Sequence, residues 1–137
     1  MISLLWRAAD RIRQRRYPGN HGRLGEDLAH RYLRKQGCTV VARNYRSPSG
    51  AGEIDLVAWD GGRLVFVEVK TRSTEDHGTP AAAVDAEKRT RLLWAAAEYA
   101  RRINVPLEKA RFDIVSVLLG PPASIDWRRD AFGSQGR

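Results

Sequence analysis

Two apolar runs in the middle of the chain, residues 53–59 and 64–70, have the composition of neighbouring β-strands. Both runs are rich in Val, Ile, Leu and Phe, and the turn Asp60-Gly61-Gly62-Arg63 separates them. A Gly-Gly pair between two such runs is a hairpin signal. If the two glycines form the loop, directly opposed residues have numbers that sum to 123. Asp55 is then predicted to face Glu68 across the hairpin.

The remaining periodicity predicts two helices and further strands around this hairpin. In chain order, the predicted elements are a helix from His21 to about Gln36, a strand over 39–46, the hairpin, a helix over 86–102, a strand over 111–119 and a candidate edge strand at 125–127. Gly37 is the expected stop of the first helix. Residues 80–84 are predicted as a helical turn, with Asp85 as the cap of the second helix. The order α-β-β-β-α-β predicts an α/β fold in which helices flank a mixed β-sheet.

The two ends of the chain differ in character from the rest. In the first 19 residues, apolar positions recur at helical spacing among several arginines, and Pro18-Gly19 ends the pattern. We interpret 1–19 as a basic N-terminal extension, 20–133 as a single domain and 134–137 as a tail. A nucleic-acid arm and a membrane-surface helix are the alternatives for the extension. No stretch approaches the roughly 20 apolar residues of a transmembrane helix, so we expect no membrane span.

Composition narrows the class of partner. The 137 residues carry a formal net charge of +8, with a pI near 10.4. This excess favours a polyanionic partner such as nucleic acid, although a basic soluble surface would give the same sum. Cys38 is the only cysteine of the chain, which excludes an intramolecular disulfide and favours a cytoplasmic location. Because Cys38 lies where a helix passes into a strand, we interpret it as a packing residue.

The hairpin carries charged residues where core residues are expected. Asp55 and Glu68 would repel each other if directly opposed, and half-buried acids need a cation to offset their charge. A divalent metal is the expected cation, because hard cations take carboxylate and carbonyl oxygens. Lys70 lies two residues after Glu68 and therefore on the same face, with Glu53 as its expected salt-bridge partner. Two acids and an ammonium around a small metal favour phosphodiester cleavage; a surface salt-bridge cluster is the alternative.

A further acid lies at the edge of the buried face of the first helix. One line along this helix runs through Gly22, Glu26, Ala29 and Leu33, and the neighbouring line through Leu24, Leu28, Tyr32 and Lys35. An acid near a helix N-terminus is explained by the helix dipole as readily as by a functional role. From the spacing, both interpretations of Glu26 stay open.

Asp55 and Glu68-Val69-Lys70, with Glu26 upstream, resemble the PD-(D/E)XK nuclease signature. That superfamily includes type II restriction enzymes and archaeal Holliday-junction resolvases, and the order of the acids here is similar to the resolvase branch. Asp55 lacks the preceding proline of the signature. A closer resemblance, over roughly residues 20–133, is to the YraN family of uncharacterised bacterial proteins. It rests on Gly22-Arg23-Leu24-Gly25-Glu26-Asp27-Leu28-Ala29, Arg43-Asn44-Tyr45-Arg46, Gly52-Glu53-Ile54-Asp55-Leu56, Phe66-Val67-Glu68-Val69-Lys70-Thr71-Arg72, Val84 with Lys88-Arg89, Arg111-Phe112-Asp113 and Ala131-Phe132.

The resemblance implies a restriction-endonuclease-like fold and assigns roles to the site residues. Asp55 and Glu68 would bind Mg²⁺, or Mn²⁺ in its place, with the backbone carbonyl of Val69 as a third ligand. This small ligand set suits Mg²⁺, which keeps several of its waters. Lys70 would orient the attacking water or offset charge on the phosphate. Glu26 would join through a water or a second metal.

Several basic residues near this motif are candidates for contacts with nucleic acid. They are Arg72, Lys88, Arg89 and Arg91, and a solvated basic face is the alternative for each. The expected function is a metal-dependent endonuclease-like protein that acts on DNA phosphodiester bonds, including branched DNA. The alternatives are a non-catalytic nucleic-acid-binding protein that retains the fold, and an interaction protein. A homodimer is among the candidate partners, because nucleases that cut both strands often work as dimers.

Overall fold

The computed structural model describes residues 21–73 and 86–133. Its helices and strands, numbered in chain order, are α1 (His21–Lys35), β1 (Thr39–Arg46), β2 (Glu53–Asp60), β3 (Arg63–Arg72), α2 (Ala86–Arg102), β4 (Arg111–Leu118) and β5 (Ser124–Arg128), with a 3-10 turn at Leu107–Lys109. Every element expected from the periodicity in these ranges is present, and the edge strand is confirmed as β5. The predicted basic extension, the turn and cap over 80–85 and the tail at 134–137 lie outside the described residues.

The strands form one five-stranded sheet in the order β1-β2-β3-β4-β5. The β1–β2, β2–β3 and β4–β5 pairs are antiparallel, and the β3–β4 pair is parallel. A parallel pair needs a crossover connection, which the segment containing α2 supplies. The fold is therefore α/β, with a mixed sheet flanked by two helices, as the sequence predicts.

Helix α1 ends at the glycine that the sequence marks as its stop. Gly37 has a φ of 98°, a left-handed conformation that a residue with a Cβ rarely adopts. The backbone N–H of Cys38 donates to the carbonyl of Leu33 and that of Gly37 to Arg34, which closes the helix in a Schellman arrangement. The buried line of α1 includes Ala29, Leu33 and Glu26. The neighbouring line contributes less to the core, because Leu24 is 48% exposed.

A separate apolar cluster lies on each face of the sheet. On the α1 face, Ala29 and Leu33 pack against inward residues of the central strands, among them Val65, Val67 and Val115. On the α2 face, the buried residues are Ile54, Val57, Leu64, Phe66, Leu92, Ala95, Ala96, Ala100, Ala110, Phe112 and Phe132. Helices on both faces leave the central strands without a solvent side, which explains the nearly continuous apolar run of β3.

The register predicted for the hairpin is confirmed, but the ladder is shorter than expected. Paired residues run from Asp60–Arg63 to Leu56–Val67, and the numbers of each pair sum to 123. Pairing stops there, one step before Asp55 and Glu68. The two acids are therefore not a directly opposed ladder pair, because β2 leaves β3 at this point and pairs onward only with β1, where Glu53 lies opposite Arg46.

Candidate active site at the end of the β2–β3 ladder

Asp55 lies at the point where β2 separates from β3. Its Oδ2 accepts a hydrogen bond of 2.8 Å from the backbone N–H of Val69. In the register of the hairpin, the next hydrogen-bonding partner of Val69 on β2 would be Ile54. The carboxylate of Asp55 takes that place, so a side chain extends the ladder by one bond after the backbones diverge. This bond fixes Asp55 beside the Glu68-Val69-Lys70 segment.

The divergence has a local cause in strands β1 and β2. Ile54 and Leu56 are two residues apart, yet they belong to clusters on opposite faces of the sheet. In regular extended backbone, residues at this spacing share a face, so β2 is twisted at Asp55. In the β1–β2 register, the residue opposite Asp55 falls at Asn44, which has a φ of 50°. The irregularity in both strands turns the Asp55 end of β2 out of the ladder.

Glu68 is a buried carboxylate with a specific cationic neighbour. Its residue is only 2% exposed, on the α2 face of β3. The Nζ of Lys88, in the first turn of α2, lies 2.7 Å from its Oε1. A buried carboxylate is costly without a compensating charge. In the described structure that charge is the ammonium of Lys88, for which the sequence predicts a nucleic-acid contact or a solvated position instead.

Lys70 follows Glu68 on the same face and sits among other cations. Burial lowers the pKa of its ammonium below its ordinary value, and Lys88, Arg72 and Arg89 lower it further, whereas Glu68 raises it. The site is therefore electropositive around one buried carboxylate. Such an environment attracts a phosphate and makes Lys70 a better proton acceptor than an exposed lysine.

Glu26 approaches the same end of β3 from the α1 face. It is 5% exposed, and its Oε1 lies 3.8 Å from Nη2 of Arg43, which is also 2.8 Å from Oδ1 of Asp27. The approach of α1 depends on Gly25, because a Cβ at this position would overlap the side chain of Thr71 on β3. Glu26 is thus held near the end of β3, with Arg43 as a cationic neighbour.

The predicted nucleic-acid contacts fall into two groups. Arg72 lies at the end of β3, near Lys70, and Arg91 is exposed on α2. The guanidinium of Arg89 lies 5.0 Å from the ring centroid of Phe132, so its charge stacks on an aromatic ring at the edge of the core.

The backbone of α2 also contacts the loop before β2. The carbonyl of Arg91 adjoins Gly52 so closely that a Cβ on Gly52 would overlap it. Helix α2 therefore braces the loop that leads into Asp55.

The site offers few donor atoms, and they are the oxygens that a hard divalent cation prefers. In the two described ranges, no group of three or more His, Cys, Asp or Glu side chains is placed to hold a metal ion. The predicted set needs only two carboxylates and the Val69 carbonyl. In an extended strand, the N–H and C=O of one residue point toward the same neighbour. Because the Val69 N–H points to Asp55, its carbonyl is directed to the same side, as the metal prediction requires.

A second charged network, on the α1 face, was not recognised from the sequence as a unit. Asp113 is fully buried and accepts hydrogen bonds from Arg111, from Nε1 of Trp127 and from the backbone N–H of Asp130. Arg111 also donates to Asp60 at the hairpin turn, at 2.8 Å. The bond from Arg111 lies within β4, the bond from Trp127 joins β4 to β5, and the bond from Asp130 joins β4 to the segment after β5. This network ties strands together, so we interpret its role as structural. A buried Asp beside an Arg two residues earlier was the available signal.

The C-terminal segment completes the α2-face core. Phe132 is 7% exposed and lies 5.2 Å from Phe112, ring centroid to centroid, while the N–H of Ala131 donates to the Phe112 carbonyl at 2.7 Å. Cys38 is buried, and burial raises the pKa of its thiol, which agrees with a packing role. Within the part of the chain that the structure describes, neither helix has the length and apolar character needed to cross a membrane.

Comparison with known sequences decides the family. The profile of the family described as "Uncharacterised protein family UPF0102" matches residues 25–117, which include every site residue discussed above. The chain belongs to the UPF0102 family. A UPF0102 protein from Solibacter usitatus (strain Ellin6076) is 69% identical over 132 residues, which cover 96% of this chain and all of the relative.

Two further UPF0102 relatives extend the comparison. The protein from Koribacter versatilis (strain Ellin345) is 50% identical over 103 residues, covering 74% of this chain and 70% of its own length. The protein from Desulfosudis oleivorans (strain DSM 6200 / JCM 39069 / Hxd3) is 42% identical over 112 residues, covering 82% and 89%. The YraN resemblance, which refers to this same family, is confirmed. The UPF0102 names state no reaction, so the relation to PD-(D/E)XK nucleases stays a prediction.

Proposed function

We propose that this UPF0102 protein is a metal-dependent endonuclease-like enzyme that hydrolyses DNA phosphodiester bonds. The observation that supports it best is the buried Glu68 carboxylate, 2% exposed, on the strand segment that Asp55 holds through the Val69 N–H. A carboxylate in this position contributes little to folding, because burying it is unfavourable. Its placement beside Asp55 and Lys70 is explained if the three groups act together on a phosphate.

Each residue has a role that follows from its chemistry. Asp55, Glu68 and the Val69 carbonyl would hold Mg²⁺ or Mn²⁺, which would activate a water and offset the charge of the reacting phosphate. Lys70 contributes a cation beside the phosphate, and burial lowers the pKa of its ammonium, which favours proton exchange with a nearby water. Glu26, near the end of β3, would act through a water. Arg72 and Arg91 would contact the flanking DNA backbone.

The proposed substrate is DNA, with branched DNA included because of the resolvase-like order of the acids. The net charge of +8 suits a polyanion. Paired acids facing phosphate would weaken a simple binding protein unless a cation intervened. For this reason a catalytic role fits the site residues better than binding alone.

One observation favours a second candidate, a nucleic-acid-binding protein that retains the fold without cleavage. Lys88 already offsets the Glu68 charge, with 2.7 Å between Nζ and Oε1, so the carboxylate has a partner without a metal. A protein in which this ion pair is permanent would present a cationic surface to DNA and would cut nothing.

The two candidates are separated by a cleavage assay on the purified full chain. Labelled duplex, single-stranded, flap and four-way-junction DNA are incubated with Mg²⁺, with Mn²⁺ and with EDTA. We expect metal-dependent cleavage of at least one substrate, abolished in Glu68→Gln while DNA affinity is retained. Glu108→Gln, an exposed acid in the 3-10 turn, is the matched control and should cleave as the wild type does.

The other outcomes reject the proposal in distinct ways. Salt-sensitive binding without cleavage of any substrate selects the second candidate. Cleavage that persists in Glu68→Gln and Asp55→Asn assigns the activity to another site or to a contaminant. Absence of binding to all four substrates rejects both candidates.

A further inference from the structure

An open basic groove lies on α1, beside the candidate site and not part of it. Its volume is about 490 Å³, and its lining residues are Asp27, His30, Arg31, Arg34, Lys35 and Arg43. Five of the six come from α1, and Arg43 comes from the adjacent strand β1. Four carry a permanent positive charge, and Asp27 is the one acid among these lining residues.

The spacing along α1 explains why these side chains share a surface. Residues at intervals of three, four and seven or eight along a helix lie on one face, as Asp27, Arg31, Arg34 and Lys35 do. The buried line through Ala29 and Leu33 occupies another face of the same helix. Packing against the sheet therefore does not require these charges.

The charges of the groove do not cancel. Arg43 neutralises Asp27, since Nη2 and Oδ1 are 2.8 Å apart. Burial, followed by Arg43 and Arg34, lowers the pKa of His30, so its imidazole is neutral at neutral pH. Arg31, Arg34 and Lys35 remain as three exposed cations on little more than one turn of helix. They lie at the C-terminal end of α1, where cations interact favourably with the helix dipole, and their exposed charge is available to an anionic ligand.

Arg43 joins this groove to the candidate site. The same Nη2 atom that contacts Asp27 lies 3.8 Å from Oε1 of Glu26. From Glu26 to Lys35, α1 rises by roughly 13 Å at 1.5 Å per residue. The groove is thus close enough to Glu26 for one duplex arm to contact both.

We propose that this groove, defined by Arg31, Arg34, Lys35 and Arg43, binds the phosphate backbone of a duplex DNA arm that extends beyond the bond presented to the site. The proposal rests on the proposed DNA substrate and adds the surface that positions it. Duplex backbone is the occupant that matches a row of point charges along a helix. A free phosphate would use only one or two of them.

The test compares two triple variants of the full chain that lose the same charge. The groove variant is Arg31→Ala/Arg34→Ala/Lys35→Ala, and the control is Arg101→Ala/Lys109→Ala/Arg128→Ala, three exposed cations on other elements. Fluorescence anisotropy gives the Kd for labelled four-way junctions and duplexes over a KCl series in EDTA, so that no cleavage is needed. Circular dichroism melting confirms that both variants are folded.

We expect the groove variant to bind a long-armed junction about tenfold more weakly, with the slope of log Kd against log salt reduced by about 2 to 3. The control variant should change the Kd by less than about threefold. Wild-type affinity should increase when the arms are lengthened enough to reach the groove, and that increase should vanish in the groove variant. A variant with Arg31→Lys and Arg34→Lys should bind nearly as the wild type does.

Three results would overturn the proposal. They are equal losses in the groove and control variants, an arm-length dependence that the groove variant retains, and selective loss of binding to polyglutamate or inorganic phosphate with DNA binding unchanged. The first two leave the cleavage proposal standing if wild-type protein still cuts DNA. If the groove variant selectively loses long-arm binding and the wild-type protein cuts no substrate, the groove is supported and the nuclease proposal is rejected.

Discussion

The ammonium of Lys88 is the cation that lies against the buried Glu68 carboxylate, and its removal tests the site without any substrate. In Lys88→Met the side-chain volume and helix propensity are nearly kept, while the charge is lost. Removing one partner of a fully buried pair costs about 3–5 kcal/mol, because the other charge stays buried. Since Lys88 is itself 32% exposed, water can partly replace it, and we expect a loss of about 2 kcal/mol.

The measurement is the free energy of unfolding in urea, in buffer with EDTA, for Lys88→Met, Glu68→Gln and the double variant. A loss of this size lowers the Tm by roughly 6–10 °C. The double variant should recover at least half of the loss, because the stranded carboxylate is gone. Arg91→Met, an exposed cation on the same helix, is the matched control and should change the free energy of unfolding by less than about 0.5 kcal/mol.

Titration with Mg²⁺ extends the test to the proposed metal. A cation that binds only the folded protein adds about 2.7 kcal/mol at a concentration of 100 times its Kd. Because Mg²⁺ and the ammonium compete for one carboxylate, Lys88→Met should be stabilised at lower Mg²⁺ concentration than the wild type, and Glu68→Gln should not respond. A Lys88→Met protein as stable as the wild type would refute the ion-pair reasoning. An equal Mg²⁺ response in Glu68→Gln would refute the assignment of Glu68 as a ligand.

Three further predictions concern Asp55, Asp113 and Lys70. Asp55→Ala should cost about 1–2 kcal/mol in urea unfolding, because the Val69 N–H loses its acceptor, whereas Asp55→Asn keeps an acceptor and should cost less than half of that; equal costs would contradict this. Asp113→Ala should cost at least about 3 kcal/mol, since Arg111, Trp127 Nε1–H and the Asp130 N–H all lose an acceptor, and Arg111→Met/Asp113→Leu should recover part of it by the same measurement. Lys70 has a lowered pKa, so the unfolded chain holds its proton to higher pH than the folded chain. The stability of the wild type relative to Lys70→Met should therefore rise with pH toward 10.5, and a fall would refute this.

The sequence predicted the hairpin because a Gly-Gly turn and period-two alternation are local signals. The register, from Asp60–Arg63 to Leu56–Val67, follows from them directly. The end of the ladder could not be predicted in this way. It depends on a positive φ at Asn44, on a different strand, and on the shift of Ile54 to the opposite face. The direct opposition of Asp55 and Glu68 was wrong for that reason, although both acids still lie at the predicted end of the hairpin.

The partner of Glu68 was also beyond the reach of local pattern. Lys88 is twenty residues further along the chain and reaches Glu68 only because α2 covers the same face of β3. The spacing of apolar and polar residues along α2 is the same whether a lysine in its first turn is solvated or paired with a buried acid. Glu26 illustrates a nearer case, because its line with Ala29 and Leu33 put it at the edge of the buried face, and the structure shows it buried. Local pattern therefore predicted the face of α1, whereas the pairing of charges required the packed fold.

We expect the two charged networks of the sheet to differ in role, with the Asp113 network stabilising the fold and the Glu68 cluster serving the proposed function. Asp113 on the α1 face is fully satisfied by Arg111, Trp127 and a backbone N–H, so its charge stabilises the fold. Glu68 on the α2 face is buried among cations. Its ion-pair partner is Lys88, whose side chain is also 32% exposed to solvent. The Arg111 network fastens the hairpin turn to β4 independently of that site. It follows that Asp55, Glu68 and Lys70 can change together with small effects on folding, while Asp113 cannot. A comparison of unfolding free energies for Asp55→Asn/Glu68→Gln/Lys70→Met and for Asp113→Asn measures this directly. If the triple variant proved less stable than Asp113→Asn, the division of roles between the two faces would be wrong.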